Sequence, residues 1–159
     1  MTNLKRWLQR PLQPVPLKVA IILLVIALLG FADASYLTIE HYRGVIPPCS
    51  VVSGCETVLT STYSKVLGIP VSLLGVVFYL VLLVGVFAYI DTKKTFLLKW
   101  TLALTFFGFI GTLWFLYLQA FVLHSFCVYC LGSAATSTLL FMGAIWVFSK
   151  YTVTDTLAA

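Results

Sequence analysis

The sequence predicts an all-α integral membrane protein: a four-transmembrane-helix bundle with an outer-face half-helix capping it. Three observations predict this. First, 61% of the 159 residues are hydrophobic and only 9% are charged, more apolar surface than a soluble domain of this length can hide. Second, four stretches, about Lys18–Glu40, Ile69–Ile90, Phe96–Leu123 and Phe126–Phe148, each supply the roughly 20 predominantly apolar residues that a spanning helix needs. Third, the basic residues are distributed unequally between the two sides those spans define. The net charge of +5 is small beside the apolar content and does not suggest a nucleic-acid partner.

In lipid every backbone polar group must be satisfied within its own segment, so the four stretches are helices. The second and fourth carry no charged residue; the first carries Asp33 in its interior and the third Lys99 near its start. The first stretch is too long for the core of a signal peptide, and no small-residue cleavage site follows it, so it reads as an uncleaved anchor. Residues 1–159 form one membrane domain, with an outer loop over 41–68.

Four spans place both termini and the middle loop on one side. That side holds Lys5, Arg6, Arg10, Lys18, Lys93, Lys94, Lys99 and Lys150, against Arg43 and Lys65 on the other. By the positive-inside rule both ends are cytoplasmic. The 41–68 loop and the turn near His124 then face outward, and with them all four cysteines. An even number of cysteines confined to an oxidising face implies disulfide chemistry.

In the outer loop, Pro47 and Pro48 keep the arm leading to Cys49 extended. Ser53-Gly54-Cys55-Glu56 matches a capping box, with Ser53 as N-cap and Glu56 at the third helical position. Val58, Leu59, Thr62, Tyr63, Val66 and Leu67 follow at spacings of three and four, predicting an amphipathic helix over about 54–67 that Gly68 closes with a left-handed cap. This sets an exposed Cys49 beside a helix-start Cys55, whose thiolate the helix dipole favours. The pair can be a relay or a structural staple.

The fourth span opens His124-Ser125-Phe126-Cys127-Val128-Tyr129-Cys130. With Ser125 as N-cap, Cys127 lies in the first turn and Cys130 on the same face. A C-x-x-C at a helix N-terminus lowers a thiol pKa. A bridge between residues three apart closes almost no loop, so a structural staple gains little. Paired thiols also serve soft-metal carriers, with His41 and His124 as outer-face ligands, so a heavy-metal carrier is the competing reading; no His-x-x-His or closed four-ligand set accompanies the cysteines.

The Cys-x5-Cys loop pair, the Tyr63-Ser64-x-x-x-Gly68-Ile69-Pro70 segment and the Phe126-Cys127-x-x-Cys130 pair on the last of four helices together resemble the vitamin K epoxide reductase family, and most closely its bacterial members. The resemblance covers about residues 18–148. It implies an enzyme of the bacterial inner membrane that takes electrons from a thioredoxin-like or DsbA-like protein through Cys49 and Cys55, passes them to Cys127 and Cys130, and delivers them to a quinone, ubiquinone or menaquinone. The sequence stops at Ala159 where many bacterial members continue into a thioredoxin-like domain, so the resemblance implies either a partner on a separate protein or a partner domain outside this sequence. The family's loop serine is matched by Ser61. Ala134 stands where animal members carry a quinone-binding tyrosine, and the only asparagine is Asn3, which favours quinone reduction over epoxide reduction. By depth, the residues expected around the quinone are Phe31, Leu59, Leu74, Phe115, Tyr117 and Tyr129, with Ser61 as a hydrogen-bond donor. Asp33, the one intramembrane acid, is either a proton carrier or a structural partner of a neighbouring hydroxyl.

Overall fold

The computed structural model describes residues 12–49 and 54–152. Four long helices dominate: α1 Leu17–Arg43, α3 Val71–Thr92, α4 Thr95–Tyr117 and α5 Val128–Tyr151, with a short α2, Cys55–Thr60, in the first long connection. All four are long and apolar enough to cross a membrane, α4 being extended by a π-helical turn over Leu118–Val122. At 27 residues α1 is about 40 Å long at 1.5 Å per residue, so it overshoots a hydrocarbon core of about 30 Å. In its last turns Glu40 and Arg43 pair at 3.3 Å.

α1 packs chiefly on α3 and α5, and α4 closes the ring against the same two helices. Small residues set these approaches. Gly30 of α1 faces the ring of Tyr79 so closely that a β-carbon there would collide with it. Tyr79 is buried, and its hydroxyl crosses the bundle to donate to the Ser133 carbonyl at 2.9 Å, with Thr136 Oγ1 at 2.8 Å. At the end bearing the termini, Gln13 N donates to Tyr151 O, and the Tyr89 hydroxyl both accepts from and donates to the Val15 backbone. Leu28, Leu29, Val84, Phe87 and Trp114 are exposed on the bundle's outside, as lipid-facing residues must be.

At the opposite end the capping segment departs from the expected helix over 54–67. α2 lasts only from Cys55 to Thr60. Ser61 turns extended, at φ −61° and ψ 156°, and its hydroxyl donates to the Val58 carbonyl at 2.8 Å, closing the helix end. A 3₁₀ turn over Thr62–Ser64 follows, then a two-stranded hairpin pairing β1 Lys65–Val66 with β2 Ile69–Pro70. Leu67 and Gly68 both take positive φ, 53° and 82°, the signature of a two-residue type I′ turn. Gly68 is therefore a hairpin residue and not a helix cap, and β-branched Val66 and Ile69 suit the strand positions beside it. The helix N-cap is Gly54, which makes Glu56 the second helical residue; Ser53, expected to cap, lies outside the described residues.

Candidate active site

The loop cysteines are positioned by two different devices. Cys49 ends the proline-extended arm, half-buried, and is tied down through its neighbour: the Tyr129 hydroxyl donates to the Pro48 carbonyl at 3.2 Å. Cys55 is the first residue of α2 and is only 1% exposed. The two form a disulfide with a Cα–Cα distance of 6.2 Å. Cys127 and Cys130 are free thiols.

The helix bearing the C-x-x-C pair begins two residues later than its spacing suggests. Ser125 is not the N-cap; Cys127 is, with extended backbone at φ −107° and ψ 124°, and its own sulfur accepts from Cys130 N at 3.5 Å. The cause lies in α4. The π turn delivers Gln119, 2% exposed, under the connection. There Gln119 Oε1 accepts the Cys127 N–H at 2.9 Å, and its carbonyl accepts Ser125 N at 3.1 Å. These bonds hold the 125–127 strand extended and start the helix at Val128. The Cys127 thiol is held down to about 7, chiefly by its hydrogen bond from Cys130 and further by the backbone N–H groups of Cys130 and Tyr129, with burial opposing.

The four cysteines form one cluster. Cys55, Val58 and Cys127 make its buried centre, and Cys49, Leu59, Leu123, Tyr129 and Cys130 pack around it. Gly54 makes this contact possible. A β-carbon on it would lie 2.7 Å from both Phe126 N and Phe126 O, so only glycine lets the start of α2 press against the backbone leading to Cys127.

Cys130 differs from Cys127 in what it faces. It lines a partly open cavity of about 930 Å³, bounded by α1, α2, α3, α4, α5 and the hairpin segment. Of the residues expected around a quinone, Leu59, Ser61, Leu74 and Phe115 line this cavity. Phe31, Tyr117 and Tyr129 do not. Phe31 packs into the core of the bundle. Tyr117 is half exposed and stacks on Trp114 and Phe121 along the outside of α4. Tyr129 packs at a tilt against Tyr36, with centroids 5.4 Å apart, and clamps the Cys49 arm. Ser61, expected as a donor, already gives its proton to Val58, so toward a ligand it offers lone pairs.

Two other cavity residues carry unsatisfied atoms: Asp33 Oδ2 and Ser137 Oγ are buried without a hydrogen-bond partner. Orphaned polar atoms on the wall of a largely apolar cavity are what a ligand bearing few polar atoms would satisfy. Among the described residues no group of three or more His, Cys, Asp and Glu side chains is arranged to hold a metal ion. Gln119 and Gly54 are the site residues that spacing did not disclose. The signal for Gln119 was present, as a lone amide near the end of an apolar span.

A disulfide and a dithiol packed together at one end of a four-helix membrane bundle define a membrane thiol–disulfide protein. The model of the vitamin K epoxide reductase family matches residues 21–145, and the chain belongs to that family. It is accordingly a membrane thiol–disulfide oxidoreductase. No curated protein shows significant sequence similarity to it.

Proposed function

We propose that the chain is a quinone-linked disulfide oxidase, which takes electrons from a thioredoxin-like or DsbA-like dithiol and delivers them to a quinone in the membrane. The observation that carries this reading is the division of labour among the sulfurs. Cys49 is reachable on the arm, Cys55 and Cys127 are buried against each other, and Cys130 alone opens onto the apolar cavity. The charge asymmetry supports an orientation with the cysteines outside the cytoplasm and both termini within it.

The steps follow from these positions. A partner thiolate attacks Cys49 Sγ and releases Cys55 as a thiolate. Cys55 attacks Cys127 Sγ of a Cys127–Cys130 disulfide, leaving Cys130 as a thiolate in the cavity, where it takes up one of the two protons that the partner dithiol releases and becomes a thiol. The partner's second thiol resolves its bond to Cys49 and departs oxidised. Cys49 then attacks Cys55, which restores the loop disulfide and expels Cys127. Exchange is fastest when the departing thiol is acidic, and Cys127, held near 7, is built to depart. The product of this exchange, a Cys49–Cys55 disulfide above two free thiols, is the state described here.

A bound quinone supplies a two-electron, two-proton acceptor. Leu59, Leu74 and Phe115 would hold its apolar face against the Cys130 wall, and the orphaned oxygens of Asp33 and Ser137 would meet its polar atoms. Cys127 closes on Cys130 Sγ as the dithiol's electron pair leaves through Cys130. A partner 30 mV more reducing than the acceptor already gains about 1.4 kcal/mol for two electrons, so a modest gap commits the direction.

The test is anaerobic quinone reduction by purified protein with a reduced thioredoxin-like donor. Wild type turns over, Cys130→Ala is inactive with any thiol, and Cys49→Ala fails with the protein donor. Stoichiometric binding of a soft metal by wild type, with no reduction of either ubiquinone or menaquinone, would replace this reading with that of a thiol-based metal carrier.

A further inference from the structure

Oxidising a dithiol releases two protons, and reducing a quinone consumes two. A site that couples these reactions inside an apolar wall needs a group to carry protons between sulfur and oxygen. Asp33 has the right place for it. Tyr36 of α1 packs at a tilt against Tyr129 of α5. Asp33 lies about one helical turn inward of Tyr36, and Cys130 is the next residue inward of Tyr129, so both sit just beneath that contact. Both line the same cavity.

Of the other titratable groups on the cavity wall, Tyr79 donates to the Ser133 carbonyl and Glu40 is paired with Arg43, while His41 lies two turns up α1, edge-on against Tyr42. Lys65 stands on the hairpin strand. Asp33 Oδ2, by contrast, is buried with no hydrogen-bond partner, and Ser137 Oγ on the facing helix is likewise unmatched. An isolated charge in such a wall is costly, which makes a carboxyl there a carrier of protons and not a standing ion.

We propose that Asp33 is the proton-transfer residue of the acceptor site, passing a proton from the Cys130 thiol to the acceptor oxygen as the Cys127–Cys130 disulfide forms. This deepens the quinone-linked reading and rests on it. The balance closes. The S–S bond forms, the electron pair goes to the acceptor, and Asp33 gives its proton to the acceptor oxygen and regains one from Cys130. The second proton enters from outer-face water and matches the one Cys127 has released. Asp33 ends as it began.

Asp33→Asn keeps a side chain that can hydrogen-bond a carbonyl but cannot exchange a proton. The expected result is a loss of about 100-fold in single-turnover oxidation of the Cys127/Cys130 dithiol by a short-chain ubiquinone or menaquinone, the scale of a lost general acid. Exchange between the two cysteine pairs stays at the wild-type level, and binding of that quinone, read by tryptophan fluorescence quenching, is retained because the amide still offers it a hydrogen bond. A second readout uses wild type alone. The infrared difference between its dithiol and disulfide forms, with no quinone present, carries a carboxyl signal that shifts on isotopic labelling of aspartate. Wild-type oxidation rates in Asp33→Asn, or no aspartate signal in wild type, overturns the assignment while leaving the relay intact. Loss of both quinone binding and inter-pair exchange in Asp33→Asn overturns it in favour of a structural role. Failure of wild type to reduce any quinone overturns the parent reading instead.

Discussion

Replacing Gly54 with alanine should uncouple the two cysteine pairs without removing a sulfur. Gly54 has φ −99° and ψ 1°, a conformation alanine adopts freely, so backbone strain is not the issue. The obstacle is the neighbouring chain. A β-carbon would sit 2.7 Å from Phe126 N and O, where ordinary contact begins at 3.4 Å, so the surfaces must part by about 0.7 Å. The atoms in the way are backbone, held in place by the Gln119 bonds to either side of Phe126, and cannot swing aside as a flexible side chain would. The start of α2 must lift, carrying Cys55 off Cys127. A displacement approaching 1 Å at a reacting centre costs about 100-fold in rate, while overpacking of this kind costs stability only about 1–3 kcal/mol. The assay begins with fully oxidised protein and a reduced small dithiol. Samples are quenched in acid at intervals, alkylated, and each cysteine scored by mass spectrometry. Reduction of the Cys49–Cys55 bond should proceed normally in Gly54→Ala while electrons reach Cys127 and Cys130 slowly. Transfer at the wild-type rate would refute the view that this contact is the conduit.

Further expectations concern the supports of the site. The Cys127 thiol, held down to about 7, is a thiolate above that pH and a thiol below it. Its ultraviolet absorbance, taken as the difference from Cys127→Ser in the dithiol state, should rise through that region. Cys130→Ala removes the main hydrogen bond and should move the midpoint upward toward the ordinary thiol range. Gln119→Leu strands the buried Cys127 N–H, a loss of about 1–3 kcal/mol. Thermal unfolding in detergent should report it, and the same absorbance titration should show a changed midpoint if the amide positions the sulfur. Gly30→Ala drives a methyl into the Tyr79 ring and should cost about 1–3 kcal/mol in the same unfolding assay, with the Cys49–Cys55 pair still reducible by a small dithiol.

Which parts of this molecule were legible in its sequence follows from where the physics is local. The spans could be read because lipid demands a long apolar helix and little else, and each stretch met that demand by composition. The C-x-x-C was legible for the same reason, its meaning residing in four consecutive residues. Facing was not. These helices are apolar all round, so no periodicity distinguishes a core position from a lipid-facing one. Tyr117 and Leu74 looked equivalent by depth, yet Tyr117 stacks along the outside of α4 and Leu74 lines the cavity. The capping segment failed differently. Its three-and-four spacing fits a helix, but Ser61 and the Leu67–Gly68 pair supply two local turns that together outweigh it. The start of α5 moved from Ser125 to Cys127 because of Gln119, a residue in another helix that no local rule consults.

The burial of Cys55 and Cys127, at 1% and 0% exposure, has a consequence for chemical fidelity. A relay of thiols is vulnerable to any stray thiol or oxidant that can reach an intermediate sulfur, because exchange is indiscriminate about its partners. Here the two central sulfurs are insulated, as a wire is by its sheath, and only the terminal ones have an outside contact. In the proposed relay, electrons admitted at Cys49 would be drained to solvent only by returning the way they came, or else would leave through Cys130 into the cavity it lines. The same packing that brings the pairs together would then separate two pools of reactants that would otherwise short-circuit, one dissolved in water and the other in lipid.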